Sequence, residues 1–83
     1  MTLEQRRVML HALGNPRRGE RPWTNVAQVS MRLASLENET WLALERAGFA
    51  FRGVSFGYFT AFHVTAKGIA ALGLQCLPSE VQV

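Results

Sequence analysis

Between Glu39 and Leu72 the hydrophobic period changes twice, and few small folds accommodate that. Trp41, Leu44 and Ala47 recur at helical spacing, with Gly48 behind them as a left-handed stop. Asn38 stands before Glu39, so the spacing predicts an Asn N-cap and a negative charge in the first turn. Phe49, Phe51 and Val54 then alternate with Ala50, Arg52 and Ser55, the period of a strand. Gly57 supplies the positive φ of a tight turn. On the return strand Tyr58, Thr60, Phe62 and Val64 share one face, and Phe59, Ala61 and His63 share the other. Thr65 opens another helix, with Ile69 and Leu72 inward. Gly68 lets that helix lie close to the hairpin, and Gly73 ends it. The predicted core of this unit is Phe49, Phe51, Phe62, Val64, Ile69 and Leu72.

The flanks complete one domain. Thr2-Leu3-Glu4-Gln5 has capping-box spacing and opens a helix to about Leu13, with Leu3, Met9, Leu10 and Leu13 inward. Gly14 and Pro16 stop it. Residues 14 to 24 read as a loop holding Arg17, Arg18 and Arg21. Thr24 to Val29 reads as a short strand, a third beside the hairpin. Ser30 to Ser35 fits either a continued strand or a first helical turn. Residues 1–77 form a single domain on this reading, and 78–83 a frayed tail after Leu74, Cys76 and Leu77. The order is helix, short strand, helix, hairpin, helix: a small α+β domain.

The run Ala47-Gly48-Phe49, the hairpin, and His63-Val64-Thr65-Ala66-Lys67-Gly68 together resemble the second half of a winged-helix domain. Members of that family carry a run like L-x-x-x-G-L, a two-stranded wing, and a hydrophobic-Thr-x-x-Gly run. The resemblance covers half the chain and implies a winged-helix-like fold. The whole chain, with Gln5-Arg6-Arg7, then Arg21-Pro22-Trp23-Thr24-Asn25, then the wing, is also similar to short proteins encoded by phages and prophages. That second resemblance implies an inhibitor of a host process, such as an anti-CRISPR protein, bound to a host protein or nucleoprotein complex.

Composition narrows the classes further. Eighty-three residues with 48% hydrophobic content can bury one core, and a chain this short has little margin. The net charge of +3 leans toward an anionic partner. A single cysteine, Cys76, excludes an internal disulfide framework and fits a reducing cytoplasm. No apolar run is long enough to span a bilayer, so no membrane partner is expected. Glu4, Gln5, Arg6 and Arg7 stand where a signal peptide needs apolar residues, so a cytoplasmic location is expected.

Four constellations carry candidate chemistry. Arg17, Arg18 and Arg21 can clamp phosphates while Trp23 stacks on a base or packs on a partner. The plainer reading is a solvated basic loop, with Trp23 anchoring it to the core. The helix from Glu39 to Ala47 is the would-be DNA-reading helix, yet it offers Glu39 and Glu45 against Arg46, with Glu37 just before it. Carboxylates there repel phosphates, so Leu42, off the inward face, is read as a protein contact. His11, His63 and Cys76 lack metal-site spacing and no nucleophile motif is present, so neither an enzyme nor a cofactor is expected. Phe56, Phe59, Ala61 and His63 form an apolar second face on the hairpin. Either the N-terminal helix covers that face, or it or the hairpin edge meets another chain, including a second copy.

Two functions follow. The first is a non-enzymatic protein-binding module. The second is a small DNA-binding regulator using the arginine loop and the wing, with Arg52 on the wing as a further contact.

Overall fold

The computed structural model describes residues 1–31 and 35–75. They form a small α+β domain with three helices and a three-stranded antiparallel sheet. In chain order the elements are α1 (Leu3–Ala12), β1 (Ala27–Ser30), α2 (Leu36–Arg46), β2 (Ala50–Phe56), β3 (Phe59–Val64) and α3 (Ala66–Ala71). The strand order is β1-β3-β2, so β3 is central and both other strands are edges.

Local chemistry sets the helix ends. At α1 the Thr2 hydroxyl accepts from the Gln5 N–H at 3.0 Å, and the Gln5 side chain accepts from the Thr2 N–H at 2.8 Å. At α3 the Thr65 hydroxyl accepts from the Gly68 N–H at 3.1 Å. The start of α2 differs from expectation. Ser35, not Asn38, is the N-cap, accepting from the Asn38 N–H at 3.1 Å. Asn38 is buried in the first turn, where its amide donates to the Ser30 carbonyl at 3.3 Å and ties α2 to the end of β1. A capping hydroxyl three residues earlier frees the Asn38 amide for that tertiary bond. The ambiguous stretch resolves at its two ends, with β1 stopping at Ser30 and α2 starting at Leu36. Residues 32–34, the tail 78–83, Cys76 and Leu77 lie outside the described residues.

The buried side chains of all three strands fall on one face: Val29, Ala50, Thr60, Phe62 and Val64. The helices pack there. Trp41 and Leu44 from α2, Val8, Met9 and Ala12 from α1 with Leu13 behind them, and Ile69 with Leu72 at α3 complete the core. Trp41 stacks on Phe62 with ring centroids 5.5 Å apart. Gly68 sits against the backbone of Phe49, and a Cβ there would lie 2.5 Å from the Phe49 carbonyl oxygen. Lys67 crosses to the end of α2, donating to the Ala47 carbonyl at 3.2 Å.

The inward placements of Leu3, Phe49 and Phe51, and the face given to Val54, need correction. Leu3 is 83% exposed, because the stripe α1 buries runs through Val8, Met9 and Ala12, and Leu3 lies off it on the first turn. On β2 the inward residue is Ala50, opposite Val64. Phe51 therefore points to the other face, half-buried against His63, and Phe49 only flanks the core. Val54 is exposed too, because the ladder is broken by an irregularity between Arg52 and Ser55. An extra residue in one strand resets the alternation of every residue beyond it.

Candidate interaction surface

The strand register builds a second face from the residues between the buried ones. Gln28 pairs with Ala61, Ser30 with Phe59, Phe51 with His63, and Phe56 with Phe59. Paired residues point to the same side of a sheet. Of the two readings of this side, cover by α1 is not what the structure shows, since α1 packs with α2 on the buried face. Among the described residues no helix lies over it.

Its apolar centre is prominent. Phe56 is 80% exposed, Val54 76% and Phe59 47%. With Gln28 and Ala61 these three line a cleft of about 400 Å³. Gly57, with φ +59, makes the tight turn that folds Phe56 back opposite Phe59. Toward the other end of the face the His63 ring lies 5.1 Å from Phe51 and donates through Nδ1 to the Asn25 carbonyl at 2.6 Å. A Cβ on Gly53 would collide with His63 Nε2, so that position needs a glycine for the ring to lie flat on the sheet. No Lys, Arg, Asp or Glu projects from the face among the described residues: Arg52 pairs in register with the buried Phe62 and turns to the helix side.

Arg52 is committed to structure. Its guanidinium grips Glu45 of α2 through Nε at 2.8 Å and a second nitrogen at 3.1 Å. The Glu45 carboxylate hydrogen-bonds it and so raises its pKa above the ordinary arginine value. It also lies 5.9 Å over the Phe62 ring. The pair removes Glu45 from the exposed surface of α2 and removes Arg52 from the free wing cations. Leu42 is half-buried and packs against the core, which leaves only part of it to a partner.

The arginines of the 14–24 loop are exposed, and none forms an ion pair with a described residue. They do not converge. Glu20 accepts from the Arg17 N–H at 2.7 Å and closes a turn. Arg18 lies along Gly73 and lines a cleft with Arg6 at the end of α3. Arg21 lines a different cleft with Pro22, Trp23 and Gln75. Trp23 as core anchor is a further correction. It is 78% exposed, resting by one edge on Gly14, and Pro16 is the buried residue of the loop. A large ring need not enter the core when a short rigid residue already fills the gap beneath the loop.

Trp41 Nε1 is buried without a hydrogen-bond partner among the described residues, and the ring borders a cleft of about 180 Å³ with Arg7, His11 and Glu37. Arg7 is paired with Glu4, which holds that carboxyl below the usual range and the guanidinium above its own. Among the described residues no three His, Cys, Asp or Glu side chains group closely enough to hold a metal, and no helix is long and apolar enough to cross a membrane. Compared with protein-family models, curated proteins and solved structures, the chain matches none.

Proposed function

We propose that this protein is a non-catalytic protein-binding module that makes its contact through the open face of its sheet. The observation that carries this is the pairing of Phe56 with Phe59, beside Val54, on a face from which no described residue projects a charged side chain. Keeping such a cluster in water forgoes roughly 25 cal/mol for each Å² of apolar surface, a cost a marginal domain recovers when a partner covers it. The same absence of charge disfavours nucleic acid there, since stacking platforms for single strands sit in basic grooves. Duplex reading by α2 is disfavoured by exposed Glu37 and Glu39.

The winged-helix-like reading of the fold belongs to the same proposal. A three-stranded antiparallel sheet, with its hairpin following α2, supports it. We propose further the role of a phage or mobile-element inhibitor, of the anti-CRISPR kind, on the style of the sequence alone, with Gln5-Arg6-Arg7 at its start and Arg21-Pro22-Trp23-Thr24-Asn25 in its middle. A small module that occludes a site on its target suits that role.

A photoreactive phenylalanine analogue at position 56, and separately at position 39 on α2, tests the contact in the native host. Protein adducts are expected from position 56 and not from position 39. Adducts from position 39 alone would overturn the reading. So would sequence-selective duplex binding tighter than about 10⁻⁷ M at physiological salt, which lies beyond ordinary non-specific affinity.

A further inference from the structure

We infer that the 14–24 loop, with Arg6 of α1 beside it, binds single-stranded nucleic acid, taking backbone phosphates on Arg6 and Arg18 and a base on Trp23. This is a second contact, apart from the open sheet face, since none of these residues belongs to a strand.

Charge is divided between two sides of α1. Arg7 faces α2, where it pairs with Glu4 and shares a cleft with Glu37. Arg6 is one residue earlier, and successive helix residues point about 100° apart. It turns to another side and shares a cleft of about 320 Å³ with Arg18 and the end of α3. Neither Arg6 nor Arg18 forms an ion pair with a described residue, and the same holds for Arg17 and Arg21 on the loop. The loop's own acid is Glu20, and the chain after Gln75 adds one more, Glu80. Four arginines leave this side basic even with Glu80 counted fully against it.

The ring is exposed yet fixed. Trp23 is 78% exposed, its N–H donates to the Leu13 carbonyl at 3.1 Å, and one edge of it rests on Gly14. A Cβ on Gly14 would lie 3.0 Å from the Trp23 Cβ, and φ there is +85, so both room and backbone favour glycine. An open ring face accepts any base, because stacking does not depend on sequence.

The loop is built before a ligand arrives. The Gly19 N–H donates to the Gly73 carbonyl and the Gln75 N–H to the Glu20 carbonyl, each at 3.0 Å, which pins the loop to the exit of α3. Preorganised groups lose less freedom on binding. Arg21 borders the neighbouring cleft with Trp23 and Gln75. It lies three residues from Arg18, so at most about 10 Å of backbone separates the two clefts. One short strand can reach both.

The chemistry selects the partner. Neither cleft is lined by a large exposed aliphatic side chain among the described residues, so the dry centre of a protein interface is missing. Unpaired guanidiniums suit a polyanion. An exposed ring suits an unstacked base, which a single strand offers and a duplex does not.

Fluorescence anisotropy of labelled oligo(dT) and oligo(U), about ten nucleotides long, titrated with the full chain at low and physiological salt is the test. Binding should weaken with salt, with a log–log slope of about −1.4 for two phosphate contacts. Arg6→Gln and Arg18→Gln should each flatten that slope by about 0.7. Trp23→Ala should weaken binding roughly tenfold and leave the slope unchanged, because it removes stacking and no charge. Arg46→Gln removes the same charge from the exposed end of α2 and should change neither. Circular dichroism checks that every variant folds, and the tighter strand names the source as DNA or RNA. No binding of either strand at low salt overturns the inference and leaves the loop to a protein partner. An Arg46→Gln effect equal to that of Arg6→Gln overturns the site, leaving only diffuse attraction. Full-strength binding by Trp23→Ala overturns the base platform.

Discussion

The side chain of Asn25 pairs with both backbone groups of Val64, accepting from its N–H at 2.7 Å and donating to its carbonyl at 2.9 Å. One amide side chain thus imitates a strand residue and extends the β1–β3 ladder beyond Ala27. The Asn25 carbonyl meanwhile holds the His63 ring against the open face. Asn25→Ala leaves two backbone groups of a buried residue without partners. It should cost about 2–3 kcal/mol in urea unfolding, with Thr24→Ala, an exposed neighbour, within about 0.5 kcal/mol of wild type. Equal midpoints for the two variants would show that water replaces the amide at no cost.

Phe62→Ala should be among the most damaging core changes. It empties a fully buried site and removes the stack on Trp41. The expected loss is about 3–5 kcal/mol, comparable to the whole stability of a small domain. A cooperative transition shifted by less than about 1 kcal/mol would mean that Trp41 collapses into the space.

At Gly68 two effects oppose one another. Alanine gains about 1 kcal/mol of helix propensity over glycine. Its methyl would lie 2.5 Å from the Phe49 carbonyl oxygen and 2.7 Å from Val64 Cγ1. The first of these is backbone and cannot rotate away. Gly68→Ala should therefore destabilise, by about 1–3 kcal/mol. A stabilised variant would show that α3 can move off the hairpin freely.

The two tryptophans should separate in fluorescence. Trp41 is fully buried and Trp23 is 78% exposed. Iodide should quench Trp23 alone, and Trp23→Phe should leave a blue-shifted emission insensitive to iodide. Residual quenching in that variant would place Trp41 nearer solvent than the fold allows.

Glu4 has a lowered pKa because Arg7 hydrogen-bonds its ionised form. Such a group stabilises the fold above its unfolded pKa of about 4.3 and loses that contribution as pH falls through the lower folded value. Wild type should melt slightly above Glu4→Gln at neutral pH and converge with it in strong acid. A difference that persists in acid would assign the effect to something other than the carboxylate charge.

What the sequence determined by itself is mostly local. Thr2 with Gln5, Thr65 with Gly68, and the stops at Gly48 and Gly73 act within one turn of chain, so spacing alone reveals them. The alternation of β3 was legible because Thr60, Phe62 and Val64 run unbroken against Phe59, Ala61 and His63. Gly68 was legible as a close approach, since little else explains a glycine one turn into a capped helix. The loop arginines were legible as exposed cations, though not their divergence into separate clefts. Tertiary structure decided what local pattern left balanced. Ser35 and Asn38 can each cap α2, and the bond from Asn38 to Ser30 across the fold selects between them. Either face of β2 can point inward, and the break between Arg52 and Ser55 together with pairing to β3 sets the choice. Arg52 reads as a free cation until β2 is laid beside α2 and Glu45 comes within reach. The exposure of Phe56 and Phe59 was decided last, by helix packing. A sheet apolar on both sides can be covered on either, and the docking of α1 and α2 against Phe62 leaves the opposite face without a helix among the described residues.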